Sequence, residues 1–120
     1  MEKAGIFREV SIMIIIKITM NAIPSKQLEV TQTLLSMIEP TENTAGCISH
    51  GVFIDIEDPN RFCLLGEWET REKLDHHIAS HQFSVLLGSQ ALLCNPLETR
   101  IFTVSRGEGM DAVYSIRDHK

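Results

Sequence analysis

The sequence predicts one α+β domain built on an antiparallel sheet, and three observations carry that expectation. Val10 to Thr19 is apolar at adjacent as well as alternating positions, as in a strand covered on both faces. Two stretches with helical periodicity follow, one after Pro24 and one from Leu74 to Cys94. Strand-like runs lie between and after them, so the order is β-α-β-β-α-β. That split pattern places both helices on one face of a four-stranded sheet, the ferredoxin-like arrangement.

Each element has a local justification. Pro24 suits the first turn of a helix, where its missing N–H costs nothing. Leu28, Leu35 and Ile38, with Thr31 and Leu34, fall on one helical face, and Pro40 closes the segment, giving a helix near 24–39. "TENTAG" reads as a loop, Cys47 to Ile56 as the second strand, "EDPN" as a turn and Phe62 to Thr70 as the third strand. Leu74 and Ile78 form the buried edge of a short helix. Ser80 then caps a segment in which Phe83, Leu86, Leu87, Ala91 and Cys94 share a face, giving a helix near 81–94 that ends at Asn95-Pro96. Glu98 to Ser105 is the fourth strand. Gly107 and Gly109 loosen the chain before an amphipathic stretch, Met110 to Arg117. The expected organisation is an extension over 1–9, a domain over 10–105 and a tail over 106–120.

Composition narrows the function. A chain of 120 residues is long enough for one core without staples. A net charge of −5 and the lack of any basic run argue against nucleic acid, whose phosphates need clustered Lys and Arg. Cys47, Cys63 and Cys94 are odd in number and widely spaced, without a CxxC, so neither a disulfide framework nor a zinc knuckle is suggested. They read as buried residues of a reducing compartment. "VSIMIIIKITM" is too short to span a bilayer and is interrupted by Lys17. No membrane association is expected, and the expected address is cytoplasmic.

Chemistry concentrates in "LDHHIASHQF", Leu74 to Phe83, which holds three of the five histidines. At 100° per residue His77 lies beside the Leu74/Ile78 edge while His76 points away. His77 is thus either a hydrogen-bonded histidine at the core margin or the wall of a cavity. His77 and His81 have the i, i+4 spacing of a zinc pair. Ser80 restarts the helix between them, however, and no third ligand is marked, so no metal is expected. Trp68 alternates with Phe62, Leu64 and Gly66 on one face of the third strand, either packing in the core or bordering a ligand. Gly66 leaves space for a bulge or a ligand. His50 interrupts an apolar strand, alternating with Ile48, Val52 and Ile54, and needs a partner. Gln90 poses the same question on the second long helix.

Gly46-Cys47, Glu67-Trp68-Glu69 and Leu74-Asp75-His76-His77 together make residues 10–105 resemble the antibiotic biosynthesis monooxygenase domain. The resemblance implies a dimeric α/β barrel that oxygenates phenols or quinols without metal, flavin or haem. It makes His77 the candidate base and Trp68 a hydrogen-bond donor to a developing oxyanion or peroxide. Ile14, Ile16, His50, Phe83 and Leu87 are the remaining candidates for substrate contact. His50 stands where relatives often carry Tyr, and Gln82 where they often carry a second His. The haem-degrading branch of the superfamily uses Asn, Trp and His, where this chain aligns Ile16, His77 and Leu87, so haem degradation is not expected.

Two function classes follow: a cofactor-independent monooxygenase of a small aromatic or quinol substrate with O2, or a non-catalytic small-molecule-binding barrel. A homodimer is expected in either case. The first strand is apolar on both faces, with Ile12, Ile14, Ile16 and Ile18 on one and Met13 and Ile15 on the other. Helices cover only one of them, and a second copy would cover the other.

Overall fold

A computed structural model describes residues 13–118. Within them the sheet is four-stranded and antiparallel: β1 (Met13–Asn21), β2 (Cys47–Asp55), β3 (Asp58–Trp68) and β4 (Glu98–Val104), in spatial order β2-β3-β1-β4. Helices α1 (Gln27–Glu42), α2 (Arg71–Ile78) and α3 (His81–Gly88) pack on one face, and α4 (Met110–Asp118) follows β4. The fold is ferredoxin-like. The expected beginning of the first strand, Val10 to Ile12, and the 1–9 extension lie outside the described residues.

The core lies between sheet and helices. Ile14, Ile16, Ile18 and Met20 of β1 and Phe62, Leu64 and Trp68 of β3 meet Val30, Leu34 and Met37 of α1, together with Leu74, Phe83 and Leu86. Fully burying each such side chain stabilises the fold by about 1.5–3 kcal/mol.

Several elements differ from the expectation for identifiable reasons. Pro24 opens a 3₁₀ turn, Pro24–Lys26, and α1 proper begins at Gln27. Pro40 does not end α1. The bonds around it survive, with Asn43 N–H donating to Glu39 O at 3.0 Å and Thr44 Oγ1 to Pro40 O at 2.9 Å, and the helix reaches Glu42. The buried face of α1 is Val30, Leu34, Met37 and Thr41, whereas Leu28 and Leu35 are about 60% exposed. This helix carries two apolar stripes, and the sheet takes the one at spacing 4, 3, 4. The β2–β3 turn comes earlier than "EDPN", at Ile56 and Glu57. Asp55 and Asp58 accept from Glu57 N–H and Asn60 N–H, so β3 starts at Asp58. It ends at Trp68 because Thr70 is the N-cap of α2, accepting from Lys73 N–H at 3.1 Å. The helix expected over 81–94 stops at Gly88 and tightens into a 3₁₀ turn, Ser89–Leu92. That change of pitch buries Ser89 and Leu93 and leaves Ala91 and Cys94 exposed.

The opening of β2 fixes α2. Gly46 has φ +89°, a conformation that suits glycine. It also lies against the stem of Lys73, and its carbonyl accepts Glu69 N–H at 2.9 Å. The first turn of α2 therefore seats against this loop, and Leu74 and His77 point inward. Gly46→Ala is expected to cost at least about 1–2 kcal/mol from the backbone alone. Its Cβ would also fall 2.4 Å from Lys73 Cβ. A lower urea midpoint at unchanged m checks this.

Candidate functional site

Side-chain phase decides what enters the space between sheet and helices. Cys47 pairs with Trp68, but Ser49 pairs with Glu67, so Ile48 is the extra residue of a β-bulge. Without it, alternation from inward-facing Cys47 would turn His50 outward. With it, Ser49 faces out and donates to Glu67 Oε1 at 2.7 Å, and His50 faces in opposite Gly66. Ile48 itself is half-exposed, outside the alternation expected for it. The same register sets Ile16 beside Gly66. His50, Gly66 and Ile16 thus form one row across three strands, and the middle member has no side chain.

That gap belongs to a small cavity between sheet and helices. Its walls include Ile16, His50, Gly66 and Trp68 of the sheet and Met37, Thr41, His77 and Phe83 of the helices. Water-sized spheres can place their centres in about 20 Å³ of it. That is room for a water, not for an aromatic ring, so a ring ligand must displace side chains. A Cβ at Gly66 would meet Trp68 Nε1 at 3.1 Å and Ile16 Cγ2 at 3.2 Å.

His77 is clamped by aromatic rings. Its imidazole stacks on Trp68 with centroids 4.8 Å apart and 26° between planes, and it meets Phe83 edge-on at 5.5 Å. Two imidazole nitrogens, His77 Nδ1 and His50 Nε2, are buried without a hydrogen-bond partner. Leaving such groups unmatched costs about 1–3 kcal/mol each. Burial holds both imidazoles below their ordinary value near 6.5. The neighbouring His50 adds to the effect at His77, and Glu42 opposes it at His50. Both are therefore neutral near pH 7.

The structure brings His50, Ile16, Trp68, His77 and Phe83 together at this cavity. Ile14 is buried in the core but does not line the cavity. Leu87, expected on the inner face of α3, is 46% exposed, because the buried centre of that helix runs through Phe83 and Leu86. Thr41 and Met37 were not anticipated, since the α1 face that carries them was not the one expected. Thr41 Oγ1 accepts from Gln82 Nε2 at 2.7 Å and so ties α1 to α3 beside the cavity. Gln90 braces a loop, accepting Leu97 N–H at 3.0 Å. His81 begins a new helix capped by Ser80 and is exposed, whereas His77 lies in the last turn of the previous one, buried. Among the described residues no three His, Cys, Asp or Glu side chains gather in a metal-binding group.

The antibiotic biosynthesis monooxygenase family model matches residues 13–86. An uncharacterized protein of Synechocystis sp. is 30% identical over 83 residues, 68% of this chain. The match spans 56% of that relative's length. Among solved structures, a conserved protein from Methanosarcina mazei Go1 is 27% identical at TM-score 0.75, over 85% of this chain and 99% of that one. An antibiotic biosynthesis monooxygenase superposes at TM-score 0.70 and 21% identity, over 74% of this chain and 95% of that one, a likeness of fold.

The pH response of stability follows from the two imidazoles. With folded-state values below 6.5, the unfolded chain binds more protons as the medium acidifies. Their contribution is whole above the unfolded value and is lost as pH falls through it. The urea midpoint is expected to hold from about pH 8 to 7 and to fall as the pH drops below about 6.5. Replacing both histidines with Gln should flatten that fall.

Proposed function

Because the chain belongs to the antibiotic biosynthesis monooxygenase family, we propose that its cavity takes a small phenol or quinol and oxygenates it with O2, without metal, flavin or haem. One observation carries the reading: two unpartnered imidazole nitrogens stand at one apolar cavity. A ligand that fits the lining and offers hydroxyl groups would satisfy both. Phenolic oxygens on a flat apolar ring have that character.

The chemistry needs little from the protein. Neutral His77 takes the phenolic proton, which raises the ring's electron density and lets it reduce O2. For a phenol with an open para carbon, one oxygen atom bonds to that carbon and the other leaves as water. The product is a para-quinone, and the substrate supplies all four electrons. Once protonated, His77 presents a cation to the face of Trp68, an arrangement worth about 0.5–2 kcal/mol. The Trp68 indole N–H, beside Gly66, donates to oxygen as negative charge develops. His50 positions the far end of the substrate, with Ile16 and Phe83 packing on the ring. Ile14 supports the strand from the core, and Leu87 has no part in the site.

The assembly we propose is a homodimer. The face of the sheet away from the helices carries Phe53, Leu65 and Phe102 between 39% and 54% exposed, with Met13, Ile15 and Val104 half-buried beside them. A second sheet laid across this face covers both patches at once. The free thiols Cys47, Cys63 and Cys94 support a reducing, cytoplasmic address. None of the helices among the described residues is long and apolar enough to cross a membrane. The organisation we adopt keeps 10–105 as the domain and 106–120 as a tail.

The smallness of the cavity favours a second reading, a binding barrel that holds a small molecule without transforming it. Oxygen uptake separates the two. Metal-free protein should consume O2 with at least one phenol or hydroquinone of a panel, and His77→Ala should lower turnover about 10²–10⁴-fold with a preserved melting transition. Replacing exposed His76 is the control and should change nothing. Ligand binding without uptake would favour the second reading. Sedimentation should show a dimer at low micromolar concentration, and a stable wild-type monomer would remove the assembly.

A further inference from the structure

Helix α4 is anomalous within its own chain. Nine residues are too few for a helix to persist alone in water, where about 12–15 are marginal. Yet none of its residues is buried, and Met110, Tyr114 and Ile116 are 57–72% exposed. The helix has two adjoining stripes. Ile116, Val113, Met110 and Tyr114 form an apolar arc that Arg117 interrupts, and Asp111, Ser115 and Asp118 share the flank next to Tyr114.

The face of the sheet away from the helices has two matching stripes. Towards the β2–β3 turn, Phe53 lies beside Cys63, which pairs with Thr19 on β1. Alongside, Lys17 and Arg100 are directly cross-strand, a like-charge pair that weakens a sheet unless an anion answers it. Lys17, Thr19, Arg61, Glu98 and Arg100 line a shallow pocket there. Arg61 is paired with Asp55 at 3.9 Å, which leaves Lys17 and Arg100 facing the pocket's one carboxylate, Glu98. In the other half of this face β1 and β4 present the apolar Met13, Ile15, Phe102 and Val104, flanked by Glu67 and Ser49, at the end of the sheet from which the chain leaves for α4.

We infer that α4 of one copy covers the Phe53–Lys17–Arg100 half of the sheet of a second copy, with its acidic stripe on the cations and its apolar stripe on Phe53 and Cys63. This rests on the two-sheet dimer proposed above. A two-fold axis across the strands that brings the apolar halves together inverts the partner. Each charged half then overhangs the sheet opposite, at the end where the other chain's α4 emerges. The lengths agree. From Lys17 to Asn21 a strand covers about 14 Å, and nine helical residues cover about 14 Å. The five residues from Ser105 to Gly109 reach up to about 17 Å.

Two full-chain experiments test it. With Cys47→Ser and Cys94→Ser in place, Val113→Cys treated with a short bis-maleimide should join Cys63 of another copy, giving a covalent dimer on a denaturing gel. In sedimentation, Asp111→Lys with Asp118→Lys should raise the dimer Kd at least tenfold, as should Lys17→Glu with Arg100→Glu. The four changes combined should recover most of the loss. A wild-type dimer that neither cross-links at these positions nor responds to the charge changes overturns the placement of α4 and leaves the two-sheet dimer standing. A wild-type monomer removes both.

Discussion

Alternation along a strand is the constraint on which the site depends. Side chains at successive positions leave opposite faces, so one inserted residue reverses everything beyond it. The bulge at Ile48 performs that reversal at the start of β2. It turns a histidine inward over a glycine and sends Ser49 outward to Glu67. Remove the insertion and the same sequence would bury Ser49 and expose His50. The cavity would lose one of its two unmatched nitrogens.

Two glycines then set spacing where a larger residue could not. Gly46 admits the first turn of α2 against the loop, which delivers His77 one turn later. Gly66 leaves room beneath His50 and lets the indole of Trp68 lie close. The aromatic stack on His77 opposes the tendency of a buried imidazole to turn towards water. Contacts of this kind contribute about 0.5–1.5 kcal/mol beyond burial, comparable with the cost of leaving one of its nitrogens unmatched. The site is held by apolar packing and geometry rather than by a hydrogen-bond network.

Much of the fold could be read in the sequence because periodicity is a strong signal over long elements. The four strands, the capping residue Ser80 and the inward turn of His77 are of this kind, whereas Thr70 continues the strand pattern and is in fact the N-cap of α2. What escaped was set by competition between near-equal local solutions. Helix α1 offers two apolar stripes, and only contact with the sheet selects Val30, Leu34 and Met37 over Leu28 and Leu35. Pro40 interrupts one bond in a helix whose neighbouring bonds survive. The end of α3 changes pitch at Ser89, a switch that leaves no mark in hydrophobicity. The apolar neighbours of His50 point it inward, but the cause is a bulge that alternation alone does not reveal. Thr41 became visible at the cavity only once the face of α1 was known.

The small volume of the cavity makes entry a two-step event: its lining side chains must move apart before anything larger than water can occupy it. Observed affinity is then the intrinsic affinity scaled by the open fraction, so a form open about one part in a hundred binds about a hundredfold more weakly than its contacts would allow. The association rate, in turn, levels off at the rate of opening however much ligand is added. Discrimination between ligands therefore acts twice, once on which molecules the parted wall admits and again on which let it shut behind them.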